Sequence, residues 1–424
     1  MTTSPCPATS SRRSRVVPAS RVPSQGMSLW TQVSCPKGSQ YAGGDAAALG
    51  SEGNTRCFHR SHPGRGAPAL ARMLAGTAGA TSTGSMHATT RAAGSCPTFL
   101  FPGTGTQSVG MGADVVARFT AASAVFDRAA AVLGYDLAAV CFHGPAERLD
   151  QTVHAQPAIF VLSIACLEVL RAQGIRPAAV AGHSLGEWAA LVAADVLSFD
   201  AALRLVRERA AAMQEIAERI PGAMTAVIGA SAGLIEELCA IVRGQGVLAV
   251  VIRNAPTQLV IAGETALVER AEHALAAAGA TCARLETVNA FHTSLVSPVA
   301  RRLAQVLAEV PFSPPRIPFC SNWSGDFMCN ADTIRHSLIA QVTGPIDWVA
   351  VCRRLRAAGS GPFVEVGPKR VLSGLLRRID RAAVCHDTST AARMEQTIAT
   401  LLRCGAPGLF GARDSARPGN VLGA

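Results

Sequence analysis

Charged and aromatic side chains are scarce in this sequence: 16% of its 424 residues are charged and 5% are aromatic. No run of about 20 apolar residues is free of charge, so no membrane span is expected. The most apolar stretch, residues 156–170, contains Glu168 and is interpreted as a buried helix. Because 49% of the residues are hydrophobic, the chain has enough apolar surface to fold, which excludes wholesale disorder.

The net charge of +10 comes almost entirely from the N-terminal part of the chain. Residues 1–95 contain ten Lys/Arg and two Asp/Glu, whereas the rest of the chain contains 29 and 27. A phosphate-binding groove needs a basic core, so nucleic acid is not an expected partner. The 13 cysteines form no Cys-x-x-Cys pair and no Cys/His cluster, which predicts free thiols in a reducing compartment and no metal site.

Residues 1–95 are rich in Arg and Ser and poor in acids. This composition is typical of an organelle transit peptide, and no apolar segment with a cleavage site indicates secretion. We expect a disordered leader that targets the mitochondrion; the alternatives are the plastid, or the cytoplasm if the leader is not a targeting signal. An extension before a later start at Met27, Met73 or Met86 also stays open. Residues 405–424 are expected to form a flexible tail.

Short apolar runs alternate with helical periodicity over 96–221 and 287–404, which predicts a large α/β domain with a parallel sheet. The run Pro97–Phe101 ends in Pro-Gly and is predicted to be a buried strand, and Ala178–Val180 is predicted to be another. Between them, a helix is predicted from Gly112 to Leu133. Later in the chain, a strand is predicted at Ile317–Ser321 and a helix at Val371–Ile379.

Residues 222–286 follow a different order: strand, helix, strand, strand, helix, strand. This is the order of a ferredoxin-like (βαββαβ) module, which we expect to be inserted as a small subdomain into a large α/β-hydrolase-like domain. Its predicted strands are Ala223–Gly229, Val247–Asn254, Gln258–Gly263 and Thr281–Glu286, and its predicted helices are Ala232–Val242 and Thr265–Ala278.

The pentapeptide Gly182–Gly186 fits the G-x-S-x-G pattern of a nucleophile elbow, between a strand and a helix that starts at Glu187. Its glycines allow the sharp turn that exposes Ser184, and the helix N-terminus offers N–H groups to an oxyanion. A purely structural turn is the alternative. The residues alone do not choose the base among the seven histidines after residue 96, which are His143, His154, His183, His273, His292, His336 and His386. Of these, His292 follows the subdomain seam, where pockets form, and His386 has the position that an α/β-hydrolase would use.

Further motifs extend in order from residue 97 to residue 380. They are FPGTGTQSVGMG at 101–112, HAQPA at 154–158, GHSLGEW at 182–188, Arg209 with Met213-Gln214, NAP at 254–256, VIAG at 260–263, AFH at 290–292, GPIDW at 344–348 and VEVGP at 364–368. This series resembles that of the malonyl-CoA:acyl-carrier-protein transacylase family. Residues 134–137 and 143–145 are closer to the mitochondrial members.

The resemblance implies that Ser184 is the nucleophile and His292 its base, without an acidic third member. The backbone carbonyl of Gln341 would orient His292, since a carbonyl that accepts from Nδ1–H leaves Nε2 free toward serine. The backbone N–H groups of Leu185 and Thr104 would form the oxyanion hole. The family usually has Gln where this chain has Thr104, a change that keeps the backbone donor and removes the contacts of the Gln side chain.

The resemblance also gives Arg209 the role of binding the malonyl carboxylate, which needs a charged and preferably bidentate partner. On the residues alone, Arg209 would be a solvated helix residue, because other charged residues crowd the same helix. Phe291 would narrow the pocket against an α-methyl group and so select malonyl over methylmalonyl; plain core packing is the alternative. Gln156 and Asn254 would line the site.

We therefore expect a monomeric acyltransferase that works by ping-pong without a metal or cofactor, and supplies fatty acid synthesis. Ser184 takes malonyl from malonyl-CoA and passes it to the phosphopantetheine thiol of acyl carrier protein. One rival function, a serine esterase or thioesterase, would need an acidic triad member; the other, a catalytically impaired carrier-protein-binding homologue, is suggested only by Thr104. The residues expected to dock the acidic carrier protein, unless they are merely solvated, are Lys369, Arg370, Arg377 and Arg378.

Overall fold

The structure, a computed structural model, describes residues 96–285 and 289–403; the predicted leader, the tail from residue 405 and Glu286 lie outside these ranges. The strands in them are β1 (Thr98–Phe101), β2 (Ala179–Gly182), β3 (Gly222–Ile228), β4 (Leu248–Ala255), β5 (Gln258–Glu264), β6 (Thr281–Arg284), β7 (Phe319–Cys320), β8 (Phe327–Met328), β9 (Ile346–Asp347), β10 (Phe363–Glu365) and β11 (Cys385–Asp387). The helices are α1 (Ala113–Arg118), α2 (Thr120–Leu133), α3 (Leu137–His143), α4 (Ala146–Leu149), α5 (Thr152–Ala172), α6 (Gly186–Ala193), α7 (Phe199–Arg219), α8 (Ala232–Arg243), α9 (Thr265–Ala277), α10 (Ser297–Ala308), α11 (Ala331–Thr343), α12 (Trp348–Ala357), α13 (Val371–Ile379) and α14 (Ala391–Arg403).

The large domain is built on a six-stranded sheet with the order β11-β10-β1-β2-β7-β8. Its first five strands are parallel, and β8 pairs antiparallel with β7. Every residue of β1 and β2 is buried, as expected for short apolar strands covered on both faces. Because the carboxyl ends of parallel strands meet at one edge, the segments after β1, β2 and β10 lie side by side.

Helix α5 is the one helix among the described residues that is long and apolar enough to cross a membrane. Its most apolar window is 83% buried inside the protein. Fifteen of its 21 residues are buried, in a run that begins at Ala155. It packs closely against α7 and α2 in the main hydrophobic core. A helix buried on all sides is hydrophobic all round, so the composition follows from its place in the core.

The small subdomain has the predicted order β3-α8-β4-β5-α9-β6. Its four strands lie in the order β6-β3-β5-β4 and pair antiparallel throughout. Its own core includes Ile235, Val268 and Leu275 from the two helices. Strand β9 of the large domain adds to this sheet, parallel to β4 with Ile346 opposite Ile252, and so connects the large domain to the small subdomain.

The predicted fold class is confirmed: a parallel α/β domain carries an inserted ferredoxin-like subdomain. Two predicted elements are wrong in detail. The single helix expected over Gly112–Leu133 is divided into α1 and α2, because Phe119 has an extended backbone with φ −126° and ψ 114°. The strand expected over Ile317–Ser321 is only the two residues of β7, which pair with Val180 and Ala181 in the middle of β2.

Candidate active site

Ser184 lies in the turn between β2 and α6, and its backbone is left-handed with φ 51°. A Cβ at Gly182 would lie 2.0 Å from the backbone carbonyl carbon of Gly186, and a Cβ at Gly186 would lie 2.0 Å from the backbone oxygen of Phe101. Only glycine fits at these two positions, so strand, turn and helix pack directly on one another. The result is a sharp elbow that places Ser184 at the N-terminus of α6.

The structure brings Ser184, His292 and Gln341 together. Oγ of Ser184 lies 3.0 Å from Nε2 of His292, and Nδ1 of His292 lies 2.7 Å from the backbone oxygen of Gln341. A carbonyl only accepts, so Nδ1 carries the proton and Nε2 is free to accept from the hydroxyl. Burial lowers the pKa of His292 to about 3, and nearby Arg209 adds to this lowering. The imidazole is therefore neutral at pH 7 and suited to act as a base.

His386, the alternative base, lies on β11 at the edge of the large sheet, opposite Val364. Its neighbour Asp387 forms ion pairs with Arg370 and Arg393. Within the described ranges no carboxylate is hydrogen-bonded to His292, whose Nδ1 is held by a backbone carbonyl instead. Among the hydrogen bonds of the described residues, none joins His386 to Ser184 or to a carboxylate, so this part of the chain does not show the triad that a serine esterase would build on His386.

Leu185 and Thr104, whose backbone N–H groups are expected to form the oxyanion hole, lie on the two segments that meet at the elbow. Leu185 follows the nucleophile at the start of α6. The loop after β1 lies against the elbow, since a Cβ at Gly103 would be 2.4 Å from the backbone oxygen of His183, and this brings the next residue, Thr104, near the turn. Neither Leu185 nor Thr104 donates a backbone hydrogen bond to the described residues. Both N–H groups are therefore available to an incoming carbonyl oxygen.

Arg209 of α7 is a buried cation beside the nucleophile, only 2% exposed. Its Nη1 lies 2.5 Å from Oε1 of Gln156, and its Nη2 lies 3.5 Å from Oγ of Ser184. Burial lowers the pKa of Arg209 to about 10, which the charge of Glu187 opposes. No carboxylate among the described residues forms an ion pair with it, and Nε has no partner. Its charged neighbours suggest a solvent-exposed position for Arg209, and this expectation is wrong. The face of α7 that carries Arg209 points into the protein interior.

Asn254 reaches the elbow from the small subdomain. Its Oδ1 lies 2.9 Å from Nε2 of His183, and its Nδ2 is buried without a hydrogen-bond partner. Phe291 precedes His292 and belongs to the main hydrophobic core. Gln156 thus contacts Arg209, Asn254 contacts the residue before the nucleophile, and Phe291 lies in the packing next to the base.

Sequence reasoning missed two buried polar residues of the site, Glu187 and Asn322. The carboxylate of Glu187 accepts from the backbone N–H of Asn322 at 2.7 Å and from the side chain of Gln341. Burial raises the pKa of Glu187 to about 7. The signal was visible in the sequence, since Glu187 is the one charged residue in an otherwise apolar run from Leu185 to Ala194.

Of the four basic residues expected to dock a carrier protein, three already have partners in the chain. Nζ of Lys369 donates to the backbone oxygen of Gln107 at 2.8 Å, Arg370 pairs with Asp387, and Arg378 donates to the Gln258 side chain. The fourth, Arg377, is exposed near the end of α13. Lys369 lies next to the loop that carries Thr104, so this group borders the site.

Comparison with known proteins gives consistent matches over the described part of the chain. The model of the acyl transferase domain matches residues 98–396. The malonyl CoA-acyl carrier protein transacylase of Escherichia coli K12 is 41% identical over 300 residues, which cover 70% of this chain and 95% of that protein. Its counterpart from Bacillus subtilis strain 168 is 38% identical over 305 residues, covering 72% and 96%.

Solved structures match in the same way. The transacylase from Coxiella burnetii has a TM-score of 0.70 and 36% identity, and the match covers 72% of this chain and 98% of that one. A malonyl-transacylase solved in complex with its type II polyketide synthase acyl-carrier protein also has a TM-score of 0.70, with 37% identity over 72% of this chain and 100% of the matched chain.

Proposed function

The chain belongs to the malonyl CoA-acyl carrier protein transacylase family, and from this membership we propose how its own residues carry out the reaction. The protein is an acyltransferase that moves malonyl from malonyl-CoA to acyl carrier protein. The observation that carries the assignment of roles is the contact of Ser184 with both a neutral, oriented histidine and a buried arginine.

In the first half-reaction, Oγ of Ser184 attacks the thioester carbonyl while Nε2 of His292 takes its proton. The N–H groups of Leu185 and Thr104 stabilise the negative charge on the carbonyl oxygen. The carbon–sulfur bond then breaks, and CoA leaves with the proton from His292. In the second half-reaction, His292 takes the proton of the phosphopantetheine thiol, whose sulfur attacks the malonyl ester. The bond between the acyl carbon and Oγ of Ser184 then breaks, and Oγ takes the proton back from His292.

Arg209 provides the selectivity for malonyl. Its guanidinium has no carboxylate partner among the described residues, and the substrate carboxylate supplies one in a bidentate pair. Oε1 of Gln156 accepts a hydrogen bond from Nη1 of Arg209 at 2.5 Å and so fixes the orientation of the planar guanidinium group. The unpartnered Nδ2 of buried Asn254 donates to the acyl-thioester portion of the substrate. Phe291 limits the space for an α-methyl group.

The decisive experiment is intact-mass analysis of the protein after incubation with malonyl-CoA or with acetyl-CoA. A malonyl adduct on wild type that is absent from Ser184→Ala supports the mechanism. Transfer of the adduct to acyl carrier protein faster than to water separates a transferase from a thioesterase. An unlabelled wild-type protein with no burst of CoA would identify a catalytically impaired homologue.

The reaction as proposed uses only protein side chains, so we propose that it needs no metal or cofactor, and that one polypeptide without a membrane span suffices. All atoms that change bonds lie on Ser184, His292 and the two substrates. Activity should be unchanged after dialysis against a chelator. Sedimentation of the active species should give the mass of a single chain.

We propose that residues 1–95 target the protein to the mitochondrion, where it supplies malonyl groups for fatty acid synthesis. The support is their composition, rich in Arg and Ser and poor in acids. A fluorescent fusion of this segment should enter mitochondria; accumulation in plastids or in the cytoplasm would select one of the alternatives. A chain starting at Cys96 should retain full transfer activity.

The carrier protein, being acidic, is proposed to dock on the basic group that borders the site. Arg377 is exposed and, unlike the other three members, has no ion pair or hydrogen bond from its side chain among the described residues. Arg377→Glu should raise the KM for acyl carrier protein and leave acylation by malonyl-CoA unchanged, because only the second substrate meets this surface. Arg243→Glu on α8 is the matched control, since it makes the same charge change on the small subdomain.

A further inference from the structure

Glu187 is a fully buried carboxylate in the first turn of α6, three residues after Ser184. One of its oxygens accepts from the backbone N–H of Asn322 at 2.7 Å. The other accepts from Nε2 of Gln341. The mechanism described above uses neither contact, and a buried carboxylate is costly enough to call for a role.

The two partners of Glu187 contact the segments that carry the catalytic pair: Asn322 contacts the elbow of Ser184, and Gln341 contacts His292. Nδ2 of Asn322 donates to the backbone oxygen of Gly182, the first residue of the elbow, at 2.5 Å. Nε2 of Gln341 also lies 3.1 Å from Oδ1 of Asn322 and 3.4 Å from the backbone oxygen of Ser184. The backbone oxygen of Gln341 is the group that holds Nδ1 of His292.

We propose that Glu187 is a positioning residue for the acyl transfer: it fixes the side chain of Gln341, so that the backbone carbonyl of Gln341 holds His292 in line with Ser184. This inference rests on the proposed function, because acylation of Ser184 is the step it serves. In a Ser-His-Asp enzyme the acid contacts the histidine directly. Here the acid acts one residue further away, through the glutamine whose main chain contacts the histidine.

Only an ionised carboxylate satisfies both partners. The backbone N–H of Asn322 and the amide of Gln341 are both donors, and a glutamine at position 187 has one acceptor oxygen and one donor nitrogen. Glu187→Gln therefore keeps the size of the side chain and places two donors against each other. Gln341→Met keeps the carbonyl that His292 needs and removes the amide that Glu187 holds.

The test measures the rate of Ser184 modification by three reagents at saturation: malonyl-CoA, acetyl-CoA and a fluorophosphonate. The fluorophosphonate needs only an activated serine and is independent of Arg209. The matched control is Asn330→Ala. Asn330 caps the same helix, α11, through Oδ1 contacts with the N–H groups of Asp332 and Thr333. Among the hydrogen bonds of the described residues, none joins Asn330 to Ser184, His292 or Gln341.

We expect Glu187→Gln and Gln341→Met each to slow modification by about 10²-fold, the cost of displacing a reacting group by about 1 Å. The slowing should be equal for all three reagents, with the KM for malonyl-CoA unchanged within about threefold, because the effect passes through His292 and not through Arg209. Asn330→Ala should react at the wild-type rate.

A wild-type rate in Glu187→Gln, or an equal slowing in Asn330→Ala, would overturn the inference. A loss confined to malonyl-CoA would also overturn it, because it would mean that Glu187 acts on Arg209. If Glu187→Gln does not fold, Gln341→Met decides by the same criteria. A wild-type protein that reacts with fluorophosphonate and not with malonyl-CoA would refute the proposed function alone, and the inference would still be tested by the fluorophosphonate rates.

Discussion

Two regions of the large sheet use a buried glutamate in similar ways, at the ends of strands that flank β1. Glu187 follows β2, and Glu365 is the last residue of β10. Both side chains are fully buried, and burial raises the pKa of each to about 7. Each carboxylate accepts from backbone N–H groups of a neighbouring segment. By burial and pKa the two residues are nearly indistinguishable.

Their partners separate them. Glu365 accepts from the N–H groups of Leu372 and Ser373 and from the Ser373 hydroxyl, at 2.8 to 2.9 Å. Both of its carboxylate oxygens are therefore hydrogen-bonded to the first turn of α13. One carboxylate oxygen of Glu187 accepts a hydrogen bond from the side chain of Gln341, and the backbone oxygen of Gln341 contacts His292. A raised pKa in a buried acid therefore does not identify a functional residue by itself. The hydrogen-bond partners decide whether the acid serves chemistry or a helix.

The largest loss of acylation rate is expected when His292, the base that contacts Ser184 after β2, is removed. His292→Ala should slow acylation of Ser184 by about 10²–10⁴-fold, the usual cost of removing a general base. His386→Ala is the control on β11, beyond β10. The measurement is the burst of CoA in the stopped flow. A loss in His386→Ala without one in His292→Ala would reverse the assignment of the base.

Arg209→Ala should lower kcat/KM for malonyl-CoA by an amount that corresponds to about 2–5 kcal/mol, because the substrate carboxylate is left unpaired in a desolvated pocket. Transfer from acetyl-CoA should be unchanged or faster. Arg209→Lys should recover only part of the loss, since an ammonium group cannot reproduce the planar fork. An equal fall with both donors would make Arg209 a structural residue.

The pH dependence of acylation offers a way to tell the two glutamates apart. As the pH falls through about 7, Glu187 takes up a proton and loses one acceptor, while His292, with a pKa of about 3, stays neutral. The other ionisable groups nearby are displaced from this range: Arg209 has a pKa of about 10, the Cys320 thiol has a pKa of about 12, and burial lowers the pKa of His183 below its ordinary value.

The rate of acylation should therefore fall by up to about tenfold per pH unit below 7. In Glu187→Gln this fall of the acylation rate at low pH should be absent, and the rate should be low and independent of pH. Glu365→Gln should show the same fall at low pH as the wild type. Rates measured by rapid quench between pH 5 and pH 9 would show the difference. A fall at low pH that persists in Glu187→Gln would have to come from another group.

Glu365→Gln should lower the free energy of unfolding by about 1–3 kcal/mol, because one buried N–H of α13 loses its acceptor. The acylation rate per folded molecule should not change, since Glu365 has no contact with Ser184, His292 or Arg209 among the hydrogen bonds of the described residues. Urea denaturation and active-site titration measure the two quantities separately. A slower acylation at full folding would remove the contrast between the two regions.

The smallest effect is expected at the end of β1, the strand between the two regions. Thr104→Gln restores the side chain that the family usually has and leaves the backbone N–H in place. We expect the acylation rate to change by less than about threefold, because the donor to the oxyanion is unaffected. A tenfold or greater gain would show that the missing glutamine side chain contributes to catalysis.

Much of the fold could be predicted from the sequence, because long elements have a clear period. The helix Val371–Ile379 has the predicted bounds, and the ferredoxin-like order was visible in the pattern of strands and helices. The strands β8, β9 and β11 were missed, because a segment of two or three residues is too short to show a hydrophobic periodicity. The break at Phe119 was missed as well, because nothing in the local sequence marks it as a helix end.

The site was less predictable from residues alone than from the order of motifs. Arg209 shares its helix with several charged residues, and only the packing of α7 against α5 shows that this arginine points inward. Glu187 and Asn322 are joined across 135 positions of sequence, a separation at which no local pattern can operate. The contact of His292 with the backbone of Gln341 has no side-chain signature, because any residue has a carbonyl.

The left-handed backbones of Ser184 and His292, with φ 51° and φ 64°, bear on how this protein can be engineered. Each non-glycine residue in that region costs about 1–3 kcal/mol, which a glycine would recover. A library selected only for resistance to heat or proteolysis should therefore accumulate glycine at the two positions where the chemistry takes place. Directed evolution of a more robust enzyme would need a selection for turnover in every round, because stability and catalysis favour different residues at these two sites.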